Sequence, residues 1–255
     1  MNENADPADE LLLRLRRFHS DYFPLHQQRF QDLVAQGQHP KTLFIGCSDS
    51  RVVPYLLTGS DPGELFIVRN VGAFIPPYDG YVTDPHEPGG GCPPGGRARL
   101  EAARQWVGLH GTTAAIEFAV LNLHVERIIV CGHSHCGAIR AAYDGVSEEA
   151  VALQAWLKLA REALLPVQSS PEALRRTEQR AVVLQLERLM GYPMVRREVE
   201  SGRLTLHGWH YVIEDGEVHT FDVRQGNFVP ASVASNSGTG PYQPYVEHDG
   251  QIFSS

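Results

Sequence analysis

The sequence predicts an α/β fold, with a central, mostly parallel β-sheet flanked by helices and a helical arm at the N-terminus. Three observations lead there. Apolar runs of strand length occur at TLFIG (42–46), ELFIVR (64–69), RIIVCG (127–132) and RLTLHGWHYVI (203–213). Continuous apolar runs of this kind suit strands covered on both faces, as in parallel sheets. Segments with apolar residues at i, i+3, i+4 and i+7 lie between and beyond them, and strands alternating with helices favour crossover connections.

The elements follow in order. From Asp9 to Gly37 the helical spacing of apolar residues predicts two amphipathic helices (9–37), broken at Pro24 and packing on another surface. The strands 42–46 and 64–69 come next. Residues 76–111 contain PPYDGYVTDPHEPGGGCPPGG, too rich in Gly and Pro for a core element, and form an excursion closed by a short helix over RARLEAARQWVGL. TTAAIEFAVLNL (112–123) reads as a helix, 127–132 as the third strand, and CGAIRAAYDG as the start of another helix. SEEAVALQAWLKLAREALL and SPEALRRTEQRAVVLQLERLM, with Pro166 and Pro171 between them, form a second helical layer. HGWHYVIEDGEVHTFDV reads as a hairpin turning at Glu214-Asp215-Gly216. After Phe228 the composition shifts to Ser, Gly, Pro and Asn, so residues 1–228 are assigned to one domain and 229–255 to a polar tail.

At 255 residues, with 42% hydrophobic and 20% charged, the chain can bury a full core without disulfides. The net charge of −8 argues against a nucleic-acid groove. No apolar run is long enough to cross a bilayer, and MNENADPADE lacks the basic-then-apolar order of a signal peptide. A cytoplasmic protein without membrane or nucleic-acid partners is the expectation. The cysteines Cys47, Cys92, Cys131 and Cys136 are then expected to be reduced thiols.

Two motifs carry chemistry. CGHSHCGAIR places His133 and Cys136 three apart where a strand gives way to a helix, so both side chains can face one ion. In GCSDSRVVP, Cys47 ends another apolar strand. Adjacent parallel strands bring their C-terminal ends to one sheet edge, where α/β folds bind ligands. Two thiolates and an imidazole then converge and leave a fourth position open, as a catalytic zinc requires. Asp49 and Arg51 follow Cys47 on alternate positions. The carboxylate is suited to orienting a water at the open position or to becoming the fourth ligand, and the arginine to clamping the carboxylate.

CSDSR, with HSHCG starting 86 residues after Cys47, resembles the β-class carbonic anhydrases. The likeness covers most of 38–223 through GQHP, LFIVRNVGAFIPPYD, HGTTAAIEFAV and LHGWHY. It implies reversible hydration of carbon dioxide to bicarbonate and a proton via zinc-bound hydroxide, one Zn2+ per subunit, and a homodimer or higher homo-oligomer with active sites near the subunit interface. Position by position, it makes Cys47, His133 and Cys136 the zinc ligands and Asp49 and Arg51 the catalytic dyad. It makes Gln38, Phe66 and Val71 pocket residues, with Phe118 where some members have an interface-side tyrosine. Some members also hold bicarbonate in a regulatory pocket; Arg69 and Tyr211 match two of its residues, and Phe44 stands in place of its tryptophan. The long excursion departs from the family pattern.

Plainer readings stand beside these. Asp49 and Ser50 can cap a helix near Val52, and Cys131 is expected to be an inert core thiol, with Cys92 free in the excursion. His135 points away from His133 in an extended chain and stays outside the metal site. His86, His110, His124, His207, His210 and His219 lack partner spacing and are expected at the surface or an interface. Trp156, Leu157 and Leu159 read as a packing face. Alternative functions on the same pattern are hydrolysis of carbonyl sulfide or carbon disulfide, a zinc-stabilised scaffold, and a tail that contacts another subunit or a partner protein.

Overall fold

The computed structural model describes residues 7–78 and 110–234. Helix α1 (Pro7–Arg17) runs through a π-helical turn at Phe18–Tyr22 into α2 (Phe23–Gln36). The arm therefore changes pitch ahead of Pro24, which sits in the first turn of α2 where its missing N–H costs nothing. It meets little of the rest of the chain. No residue of 18–36 is buried, and Leu11, Leu15, Leu25 and Val34 are more than 60% exposed.

The sheet contains β1 (Thr42–Cys47), β2 (Leu65–Asn70), β3 (Arg127–His133), β4 (Thr205–Val212), β5 (Glu217–Asp222) and β6 (Asn227–Pro230). Their order is β2-β1-β3-β4-β5-β6. The four strands from β2 to β4 are parallel, and β5 and β6 add an antiparallel edge. β6 runs to Pro230, so the last strand extends past Phe228, where the composition had suggested that the tail begins.

The helices are α3 (Pro54–Thr58), α4 (Gly111–Glu117), α5 (Gly137–Asp144), α6 (Val151–Leu157), α7 (Pro171–Met190) and α8 (Pro193–Glu200). Two helices differ from the sequence reading. The segment read as one helix over 112–123 is α4 followed by a π-helical turn at Phe118–Asn122, and α6 tightens into a 3₁₀ turn at Lys158–Ala163. The periodicity did not single out α8; Pro193 at its first turn starts it, and Met194, Val195 and Val199 bury one face.

The main core lies between one sheet face (Leu43, Ile45, Ile128, Val130, Leu206) and the helices, chiefly α7 and α8. α7 can lie close to the sheet because of two glycines. A Cβ on Gly132 would come within 2.7 Å of Val182, and one on Gly208 within 3.1 Å of the same side chain. On the opposite face Phe44, Ile129 and Cys131 pack with Trp209 and Tyr211. The helix expected over RARLEAARQWVGL, Cys92, His86 and the tail from residue 235 on lie outside the described residues.

Candidate metal centre

Cys47 is the last residue of β1 and His133 the last of β3, and β1 and β3 pair in parallel, so both side chains meet at the C-terminal edge of the sheet. Ser134 and His135 then turn the chain, His135 with a φ of +56°, and Cys136 caps the start of α5. The ligating atoms of Cys47, His133 and Cys136 lie within 4.8 Å of one another, and all three residues are buried.

The donor set fits a zinc ion. His133 Nδ1 lies 2.8 Å from the Ser134 carbonyl oxygen, which fixes the proton on Nδ1 and leaves Nε2 bare. That buried Nε2 has no hydrogen-bond partner among the described residues. A bare imidazole nitrogen facing two sulfurs is the arrangement a metal satisfies.

The thiols are electrostatically prepared. Hydrogen bonding from Cys136 is the main cause that takes Cys47 down to about 4; the Asp49 backbone N–H, 3.4 Å from Sγ, adds to it against the opposing effect of burial. The Cys136 thiol is pushed well up, because it hydrogen-bonds the Cys47 thiolate and is buried. One thiolate is therefore ready at neutral pH, and metal binding must displace the second proton. Cys131 is different in kind. Its side chain faces the Phe44–Trp209 side of the sheet, and burial raises its thiol to about 12.

Asp49 and Arg51 form a two-pronged pair beside the cluster. Arg51 Nε donates to Asp49 Oδ1 at 2.9 Å and Nη2 to Oδ2 at 2.7 Å, while the Arg51 backbone N–H also donates to Oδ1. Hydrogen bonds from Arg51 hold the Asp49 carboxyl well below the usual carboxylate range. Oδ2 lies 3.8 Å from His133 Nε2, so the clamped carboxylate borders the bare nitrogen. Arg51 Nη2 also reaches the His135 carbonyl at 3.2 Å. The His135 ring itself points outward to Glu214 at 3.5 Å, outside the metal cluster.

Arg69 donates to the carbonyls of Cys47 at 3.0 Å and Asp49 at 2.6 Å, so it braces the segment that carries the pair. Phe44 is fully buried and meets Trp209 edge-on, with ring centroids 6.3 Å apart; Tyr211 packs in the same cluster. The sequence reading did not single out Trp209. Its buried indole N–H has no acceptor among the described residues, and its alternate placement with Tyr211 on β4 was the available signal.

Val71 follows Asn70, the register partner of Cys47, and its carbonyl accepts the Trp156 indole N–H at 2.7 Å. Phe66 is the register partner of Leu43, four strand positions, or about 13 Å, from the Cys47 level. It packs on Phe118 with centroids 5.7 Å apart, and Phe118 and Val71 are each about 40% exposed. Gln38 is exposed in the segment between α2 and β1. Within one chain, Phe66, Phe118 and Gln38 do not converge on the metal cluster as Asp49 and Arg51 do.

The expectation that His207 and His210 lie at the surface or an interface is corrected: both are buried within the single chain, His210 fully. His210 belongs to the β4 face under α7, where it meets Glu178.

A largely parallel sheet with a buried Cys-His-Cys cluster at its C-terminal edge, next to an arginine-clamped aspartate, defines a zinc enzyme that acts on a small molecule. The carbonic anhydrase family profile matches residues 42–218. The chain is 35% identical over 246 residues to a carbonic anhydrase of a Synechocystis species, covering 93% of this chain and 79% of that one. It is 39% identical over 220 residues to one from Pseudomonas aeruginosa, covering 84% and 87%. The solved β-carbonic anhydrase CcaA superposes with a TM-score of 0.73 at 33% identity, covering 91% of this chain and 94% of that one. The chain belongs to the β-class carbonic anhydrases.

Proposed function

We propose that the chain catalyses reversible hydration of carbon dioxide to bicarbonate and a proton, with one zinc ion held by Cys47, His133 and Cys136. The observation that carries this is the bare, buried His133 Nε2 between two sulfurs and 3.8 Å from the clamped Asp49 carboxylate. Zinc supplies Lewis acidity, which brings deprotonation of water to about neutral pH.

The chain's own groups supply orientation. Asp49, ionised and clamped by Arg51, accepts a hydrogen bond and cannot donate one, so a water beside Oδ2 turns a lone pair toward the substrate. Arg51 fixes both carboxylate oxygens, and Arg69 fixes the backbone beneath them. Carbon dioxide has no dipole, so apolar walls suit it. Val71 stands near the chain's own cluster, whereas the position of Phe66 and Phe118 suits the wall of a site on a second copy, with Gln38 as its polar member.

That second copy is also the natural partner of the arm. α1 and α2 expose a row of leucines in the single chain, and a homodimer that buries them removes apolar surface worth about 25 cal/mol per Å2. The tetrameric β-carbonic anhydrases of Sordaria macrospora, to which the chain is 26% identical with a TM-score of 0.63, support a homo-oligomer. No described helix is long and apolar enough to cross a membrane, in keeping with a proposed cytoplasmic site of action. Arg69, Tyr211 and Phe44 are proposed as a weakened bicarbonate-binding pocket, because phenylalanine has no indole donor.

Stopped-flow carbon dioxide hydration by zinc-loaded protein, with carbonyl sulfide as a parallel substrate, tests the assignment. Hydration that is lost on zinc removal and restored by zinc is expected. Absence of hydration from pH 6 to 9, or turnover of carbonyl sulfide alone, overturns it.

A further inference from the structure

Glu178 is a carboxylate in the wrong place for a solvated helix. It lies on α7, only 4% exposed, in a stretch of the sequence (TEQR) that otherwise reads as a charged face. Its Oε1 accepts the backbone N–H of Cys136 at 3.0 Å. Its Oε2 faces His210 Nε2 at 3.4 Å, and His210 is fully buried. A buried carboxylate is costly unless its oxygens find donors, so this contact is specified rather than incidental.

The fold has made room for it. Gly132 and Gly208 remove the side chains that would hold α7 off the sheet, and Gly132 pairs in register with His210. The helix thus approaches where β3 ends in His133, and Glu178 reaches across to the first residue of α5. The space left beside Gly132, His133, Cys136, Glu178 and Gln185 is a cavity of about 10 Å3. It is marginal for one water molecule, so no substrate contacts Glu178 there.

We propose that Glu178 is a positioning residue of the metal centre: its carboxylate fixes the backbone of Cys136, and thereby the direction of Sγ, while His210 fixes the carboxylate. The proposal rests on the Cys47-His133-Cys136 zinc reading. Cys136 is the ligand most in need of such help. Cys47 and His133 are held in strands paired on both sides, whereas Cys136 follows the turn at Ser134–His135 and stands at a helix cap. Glu178 holds the peptide that precedes it from behind, through the Cys136 N–H at 3.0 Å. Hydrogen-bond partners of metal ligands typically change metal affinity by about 10–100-fold.

The test uses the full-length protein with cobalt(II) in place of zinc, read by its visible absorption spectrum, together with zinc loss to a chelator. The parent is measured first. A parent that shows no thiolate-to-cobalt band overturns the metal reading itself, which separates that failure from failure of this proposal. Glu178→Asp keeps the charge but withdraws the oxygen by one methylene. Glu178→Gln keeps an acceptor for the Cys136 N–H. Expected are an altered cobalt spectrum, about tenfold or greater loss of zinc affinity, and a fall in kcat at unchanged KM in Glu178→Asp, with Glu178→Gln close to the parent. A parent-like spectrum and zinc affinity in Glu178→Asp overturn the proposal. Equal damage in Glu178→Gln overturns it too, by assigning the effect to charge. Circular dichroism checks the fold, and unfolding of both variants likewise counts against a positioning role by making Glu178 a fold determinant.

Discussion

Replacing Arg51 by leucine removes the two-pronged clamp on Asp49 and leaves the carboxylate with the residue-51 backbone N–H. Each hydrogen bond to a charged group is worth about 1.5–3 kcal/mol in a protected setting. The Arg51 side chain is 45% exposed and that of Asp49 17%, so solvent screening removes a large part of this. About 1.5–3 kcal/mol remains to hold the carboxylate in place, and at about 1.4 kcal/mol per decade the loss in kcat is roughly 10- to 100-fold. The pH dependence identifies the cause. Without Arg51 the Asp49 carboxyl rises from its lowered position toward about 3.9; it stays ionised from pH 6 to 9. The rate loss is therefore flat across that range in stopped-flow hydration assays, because orientation is lost and charge is not. The pair's contribution to folding has the matching sign: a lowered carboxyl stabilises above about pH 4 and loses that effect as pH falls through its folded value. An unchanged kcat in Arg51→Leu, or a loss that grows steadily between pH 9 and 6, would refute the orienting role.

Cys47→Ser, His133→Ala and Cys136→Ser should each lower bound zinc and hydration, while Cys131→Ser keeps both; metal analysis of the purified variants decides, and zinc loss in Cys131→Ser would contradict the cluster. Gly72→Ala places a Cβ 2.5 Å from the fully buried Phe74 ring at a φ of +82°, and should cost about 1–3 kcal/mol, seen as a fall in Tm of roughly 2–4 °C per kcal/mol. Removing residues 1–36 should reduce the number of subunits per particle measured by light scattering; an unchanged number would dissociate the arm from assembly. Bicarbonate should inhibit weakly below pH 8 and more strongly in Phe44→Trp, whereas strong inhibition of the parent that vanishes in Trp209→Phe would show that Trp209 already supplies the indole donor.

The parallel strands were legible because burial on both faces makes them continuous apolar runs, and the ligands were legible because Cys47 and His133 close such runs. The π-helical turns at Phe18–Tyr22 and Phe118–Asn122 leave the apolar spacing nearly helical, so periodicity reads through them. Glu178 was hidden by its neighbours. Thr177, Gln179 and Arg180 make it look solvated, although its place at i relative to Ala181, Val182 and Gln185 puts it on the buried stripe. His210 was hidden similarly, since its contact with Glu178 spans 32 residues of sequence. The proposed place of Phe66, Phe118 and Gln38 in the wall of a second copy's site is not something one chain's register could supply.

Cys47 and His133 are neighbours across two paired strands but stand 86 residues apart in the sequence. A metal that joins them acts on the unfolded chain as a ring closure, whose entropic cost rises only with the logarithm of the ring size. Shortening that ring by residues 79–109, to about 55, would change the cost by only about 0.4 kcal/mol. The Gly- and Pro-rich stretch within it can therefore lengthen or shrink with almost no thermodynamic penalty at the metal.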